Sequence, residues 1–178
     1  AEFLSNSWDA DASKVQIALT GAGVDGGPCI IITDNGRGMT RDELTDEFLI
    51  IGRNRRLSPN DRTPGGRLPM GRKGIGKLAG FGIARTIDIV SSPNPKLRIN
   101  DILVGQQKCY WLRFSLADLV SMAGTLSGGS YAPEVVADGV DVDELSRLID
   151  NDPHKAAYAN IVENIRAGEG GVCVYLSN

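Results

Sequence analysis

The run Cys29-Ile30-Ile31-Ile32-Thr33 is nearly all apolar, which reads as a short strand buried on both faces. It follows the alternating stretch Lys14-Val15-Gln16-Ile17-Ala18-Leu19 across a glycine-rich turn from Gly21 to Pro28, with Asp25-Gly26 at its middle. Two strands joined so closely pair antiparallel, because a parallel return needs a crossover of a dozen or more residues. The hairpin argues against a doubly wound parallel sheet. It predicts an α+β fold: a two-layer α/β sandwich in which a mixed, mostly antiparallel sheet carries helices on one face.

The remaining pattern suits that architecture. Residues 1–10 read as an amphipathic helix with Phe3, Leu4 and Trp8 as its apolar positions. Thr40 with Glu43 is a capping-box pair that starts a helix through about Ile51. Residues 75–85 have a helical pattern, 86–91 and 108–116 read as strands, 142–149 and 160–166 as helices, and 172–176 as the last strand. Residues 116–139 show small side chains and no clear period, and receive no assignment. The whole of 1–178 fits one domain. No stretch of 18 apolar residues and no signal peptide is visible, so no membrane association and a cytoplasmic location are expected. Glu2-Phe3-Leu4 already resembles a helix interior, which suggests that an N-terminal part is missing.

The three cysteines, Cys29, Cys109 and Cys173, are odd in number and far apart. Each lies in an apolar run, as expected of buried free thiols in a reducing compartment. The single histidine, His154, follows Asp152-Pro153 and reads as a turn or helix-start residue without chemistry. The net charge of -3 carries no overall nucleic-acid signature. Its distribution says more. Arg53, Arg55, Arg56, Arg62, Arg67, Arg72, Lys73 and Lys77 cluster with one acid, Asp61, among them. A polyanionic small ligand would be drawn to such a segment, and a solvated basic loop has the same composition.

Three segments could share one nucleotide pocket. Glu2 and Asn6 stand one turn apart on a helix face. The Asn6 amide oxygen suits magnesium, and a carboxylate beside it could orient or deprotonate water. An ordinary exposed polar pair looks the same. Asp34 closes the buried strand 29–33, where a carboxylate needs a partner, either an exocyclic amine such as that of adenine or the donors of an Asx turn. Gly36 and Gly38 beside it permit close backbone approach or positive φ. Finally Gly71-Arg72-Lys73-Gly74-Ile75-Gly76-Lys77 places glycines and cations before an apolar helix, where backbone N–H groups face an anion. The spacing matches neither the P-loop nor the dinucleotide fingerprint.

In this order, E-x-x-x-N-S-x-D-A, D-x-G-x-G-M and G-x-x-G-x-G resemble the GHKL ATPases with the Bergerat ATP-binding fold, best over residues 1–91. The resemblance extends to chaperone-like and microrchidia-like prokaryotic members through Ile51-Gly52-Arg53-Asn54-Arg55-Arg56. It implies ATP and Mg2+ as cofactors. Glu2 takes the place of the general base, Asn6 that of the magnesium ligand, and Asp34 that of the adenine-binding acid. Gly36 flanks that acid, and Gly38 and Met39 line the base pocket. Gly71, Arg72, Lys73, Gly74, Ile75, Gly76 and Lys77 match the phosphate loop. Residues 52–73 match the ATP lid, with Asn54 as a phosphate contact.

The chain departs from the family pattern at Gly171-Val172, where many members carry Gly-Thr with an adenine-contacting hydroxyl. The implied activity is ATP hydrolysis that drives a conformational switch, slow in the isolated domain, with a homodimer in the ATP-bound full-length protein and DNA or a protein as client. The alternatives are histidine-kinase-type phosphotransfer and a non-catalytic nucleotide-binding module.

Overall fold

A computed structural model describes residues 1–20, 28–44, 62–70, 80, 82–98, 107–123 and 133–178. The six strands are β1 (Val15–Thr20), β2 (Cys29–Asp34), β3 (Thr86–Ser92), β4 (Cys109–Ser115), β5 (Glu134–Val140) and β6 (Gly171–Ser177). They form one sheet in the order β1-β2-β6-β3-β4-β5. Every neighbouring pair is antiparallel, including the expected β1–β2 hairpin pair. The last strand, β6, lies between β2 and β3 and is almost wholly buried. The helices are α1 (Glu2–Asp9), α2 (Leu116–Ala123), α3 (Val142–Asp150) and α4 (Ala159–Arg166), with a 3-10 turn at Lys155–Tyr158. Among the described residues, no helix is long and apolar enough to cross a membrane.

The fold class is the expected α+β one, with a different distribution of helices. The sequence pattern placed them on one face, but the central strands are apolar on both. Ile87 and Ile89 of β3 join Val174 and Leu176 of β6 in one cluster, against which Phe3 of α1 packs. Val90, Cys173 and Tyr175, at alternate positions of the same strands, belong to a second cluster with Leu145 and Ile149 of α3 and Ile161 and Ile165 of α4. Successive strand residues point to opposite faces, so α1 covers one face and α3 with α4 the other.

Residues 116–139, unassigned from sequence, contain α2 and all but the last residue of β5. The β4–β5 register shifts at Cys109/Tyr110 and again at Trp111/Leu112, and Gly139 has a φ of +68°. Irregularities of that kind erase the two-residue period that a sequence pattern relies on.

The cysteines are free and buried as expected. Burial pushes the Cys109 thiol up to about 11 and the Cys173 thiol up to about 12, which suits core packing and not nucleophilic chemistry. His154 precedes the 3-10 turn, and its Nδ1 lies 2.7 Å from the Tyr175 hydroxyl.

A buried polar cluster ties the α3/α4 face together. Asp88 of β3, 1% exposed, accepts hydrogen bonds from Trp111 Nε1 at 2.7 Å and Arg113 Nε at 2.8 Å. Arg113 also donates Nη2–H to Asp152 at 2.9 Å. Burial raises the Asp88 carboxyl, and the Trp111 and Arg113 contacts hold it down only in part. Arg113→Met removes the cation between two buried carboxylates, and an uncompensated buried charge costs about 3 kcal/mol. Urea unfolding of this variant is therefore expected at a clearly lower midpoint, with little change in slope.

Candidate functional site

Helix α1 is amphipathic. Phe3 and Ser7, one turn apart, face the sheet, with Ser7 fully buried. Glu2 and Asn6 precede them by one position each, so they form the adjacent, exposed stripe. Among the described residues, no side-chain hydrogen bond engages either of them. The helix ends where Ala10 N–H donates to Asn6 O at 2.9 Å and Asp11 adopts a φ of +57°.

Asp34 ends β2 and pairs in register with Val15 of β1 and Val172 of β6. It shares its strand face with Ile30, which packs on the α1 side. Its carboxylate is buried and held from two sides: Ser7 Oγ donates to Oδ2 at 2.7 Å, and Gly36 N–H donates to Oδ1 at 2.9 Å. The Gly36 bond is the Asx-type turn considered from sequence, and the Ser7 bond comes from the helix that carries Glu2 and Asn6. Burial raises the Asp34 carboxyl above its ordinary value, and the bonds from Ser7, Gly36 and Val172 oppose that rise without cancelling it. A carboxyl raised by burial beside a helix that exposes Glu2 and Asn6 is a functional-site candidate.

The glycines are needed for shape. Gly38 has a φ of +61°, and a Cβ there would lie 2.0 Å from Ser92 O. Gly171, at a φ of +129°, would place a Cβ 1.9 Å from Asp34 O. No other residue permits this approach of β6 to β2, which sets Val172 directly beside Asp34. Val172, in register with Asp34, offers no side-chain hydroxyl there.

The stretch after Asp34 is fixed by the end of β3 and the segment that follows it. Met39 N–H donates to Ser91 Oγ at 2.8 Å, Asn94 N–H donates to Arg37 O at 2.8 Å, and Asn94 Nδ2 donates to Asn35 O at 3.0 Å. The capping box forms as expected, with Thr40 N–H donating to Glu43 Oε2 at 2.8 Å and Glu43 N–H donating to Thr40 Oγ1 at 3.4 Å.

Residues 62–70, within the stretch matched to the lid, are stapled to the end of α1. Gly65 N–H and Thr63 Oγ1 donate to the Asp11 carboxylate. Trp8 Nε1 donates to Leu68 O at 3.0 Å, and the Arg67 guanidinium sits 4.7 Å from the centre of the Trp8 ring.

The structure therefore brings Asp34, Gly36, Gly38 and Met39 into one loop beside the helix of Glu2 and Asn6. Asn54 and the whole loop Gly71, Arg72, Lys73, Gly74, Ile75, Gly76, Lys77 lie outside the described residues. Sequence reasoning missed Ser7, Ser91, Asn94 and Arg98. The position of Ser7 on the buried stripe, one turn after Phe3, was legible but its partner was not, and the other three act across more than fifty residues.

No group of three or more His, Cys, Asp or Glu among the described residues could cage a metal ion. Magnesium, which retains waters and takes phosphate oxygens, needs no such cage. Asn6, exposed on the same stripe of α1 as Glu2, offers an amide oxygen that could hold it.

In this α+β domain, an antiparallel sheet sets the buried strand-end carboxylate of Asp34 against a helix that exposes Glu2 and Asn6, and this is its candidate site. The chain belongs to the histidine kinase-, DNA gyrase B-, and HSP90-like ATPase family, whose model matches residues 1–108. It is 41% identical over 90 residues to the "Putative type II restriction enzyme HgiDII" of Herpetosiphon aurantiacus, a match over 51% of this chain and 14% of that protein. Among solved structures it resembles the ATPase region of Saccharomyces cerevisiae topoisomerase II, with a TM-score of 0.48 and 11% identity over 99% of this chain and 36% of that one. The chain thus spans a minor part of each.

Proposed function

We infer that this domain binds Mg-ATP and hydrolyses it. The observation that carries this reading is the buried Asp34 carboxylate, held as an acceptor by Ser7 and Gly36 while lying beside α1. A carboxylate so held can accept one further donor, and the exocyclic amine of adenine is that donor. Asn6 would hold magnesium through its amide oxygen, and the ion would supply screening of the phosphate charge. Glu2, in the first turn of α1, takes the proton from the attacking water. Gly71 to Lys77 cradle the phosphates, with Asn54 as a further contact.

ATP binding acts as a conformational switch that favours a homodimer of the full-length protein. The name of the relative, a restriction enzyme, supports DNA over a protein as the client of the whole molecule. Phosphotransfer to a histidine of a partner remains the alternative, with His154 a poor internal acceptor because its Nδ1 is engaged by Tyr175.

The test is to incubate the full-length chain with γ-labelled Mg-ATP, with and without duplex DNA. Release of inorganic phosphate supports the hydrolase reading. Label retained on protein supports phosphotransfer, and bound but intact ATP supports a binding module.

A further inference from the structure

We propose that Arg98 is the positioning residue of the base pocket, holding the loop between Asp34 and the helix cap in its binding shape before nucleotide arrives. The inference rests on the nucleotide reading of Asp34.

The Arg98 side chain is 4% exposed. A buried guanidinium must spend its donors on acceptors and its charge on a partner. Arg98 Nε donates to Arg37 O at 3.0 Å, and Nη2 donates to Gly38 O at 3.1 Å. Its ion pair is Glu43 Oε2, the oxygen that also caps Thr40. All three acceptors lie within residues 37–43, the short stretch that contains Gly38 and Met39. Burial alone would raise the Glu43 carboxyl, but the Arg98 bond, followed by Thr40, outweighs it and leaves the carboxyl below its ordinary range.

The geometry suits a role in binding more than one in general stability. Gly36 and Gly38 give this loop more conformational freedom to lose than any other residues would. One end is fixed by β2 and the other by the Thr40–Glu43 cap. Between them, Arg98 fixes two successive carbonyls and joins them to the cap. The Ser91 and Asn94 bonds remain without those donors, but Gly38 O and the cap lose their common anchor, and the order thereby lost must be restored on binding and is subtracted from affinity. Glu2 and Asn6 stand on α1, to which Arg98 makes no hydrogen bond, so the chemical step should be spared.

The experiment uses the full-length chain and Mg-ATP, with Asp34→Asn as the reference for a lost base contact. Arg98→Met is expected to raise Kd and KM roughly tenfold while kcat stays within about twofold, at a temperature where circular dichroism shows the variant folded. Arg98→Lys, which offers donors without the planar fork, should fall between Arg98→Met and wild type. Glu43→Gln should weaken binding in the same direction, and the double variant Arg98→Met/Glu43→Gln should be less than additive because the two act as one unit.

A folded Arg98→Met with wild-type Kd overturns the proposal, as does a loss of kcat in proportion to unfolded protein with KM unchanged. If Arg98→Met does not fold, Arg98→Lys and Glu43→Gln decide, and wild-type Kd in both overturns it. Failure of the wild type to bind Mg-ATP overturns the nucleotide reading instead.

Discussion

Glu2→Ala in the full-length chain is expected to lower Mg-ATP turnover roughly 100-fold or more, the usual worth of a positioned general base. Mg-ATP affinity should stay within about threefold, because a group that acts only on the attacking water contributes to the transition state and not to ground-state binding. Glu2 is exposed on the first turn of α1, beside the buried stripe of Phe3 and Ser7, so its removal leaves the packing of the helix intact. Phosphate release under saturating ATP, with binding measured in parallel, separates the two effects. Equal losses of turnover and affinity would place Glu2 in binding, and undiminished turnover would remove it from the reaction.

The second large effect concerns Asp34 and runs in opposite directions for stability and for binding. Burial raises this carboxyl despite the bonds from Ser7, Gly36 and Val172, so the folded protein holds the proton more tightly than the unfolded chain does. Its contribution to the stability of the nucleotide-free protein is therefore complete below the ordinary carboxylate range and is lost as pH rises through the folded value. Mg-ATP affinity changes the other way, because the ionised carboxylate is the form that only accepts hydrogen bonds. Affinity should fall as pH drops through the same window, which lies above that of a free aspartate.

Asp34→Asn removes the titration. Its nucleotide-free melting temperature should no longer show this component of pH dependence, and above the window it should match or exceed that of wild type. Thermal melts of both proteins at a series of pH values check this. A parallel pH dependence in the two would assign the titration to another group, of which Asp88, raised by burial on the opposite face, is the first candidate.

Much of this was legible in the chain because local patterns and tertiary demands agree. The apolar run 29–33 and the turn before it predicted the β1–β2 pair, and the Thr40/Glu43 spacing predicted a cap that forms through both of its bonds. Asp34 was legible as a buried carboxylate in want of partners, but Ser7 as its donor was not, since a serine on a helix gives no sign of what faces it.

Helix α2 carried a signal that went unread: Ser115 Oγ accepts from Asp118 N–H at 3.4 Å, a cap visible as a serine three residues before an acid. Strand β5 carried little, because its two register shifts break the alternation that identifies a strand. The covering of both sheet faces was implicit in the paired apolar positions of α3 and α4, which need a surface of their own. Arg98 was out of reach, because its three acceptors lie 55 to 61 residues away and each is satisfied only in the folded chain.

The most direct test of the central claim is a calorimetric titration of the full-length chain with Mg-ATP, beside Asp34→Asn. Saturable binding to the wild type, weakened about 10- to 100-fold in the variant as expected for one unmade buried hydrogen bond, is the predicted result. Equal affinity in the two proteins, or no binding to either, would contradict the assignment of Asp34 as the carboxylate that reads the base.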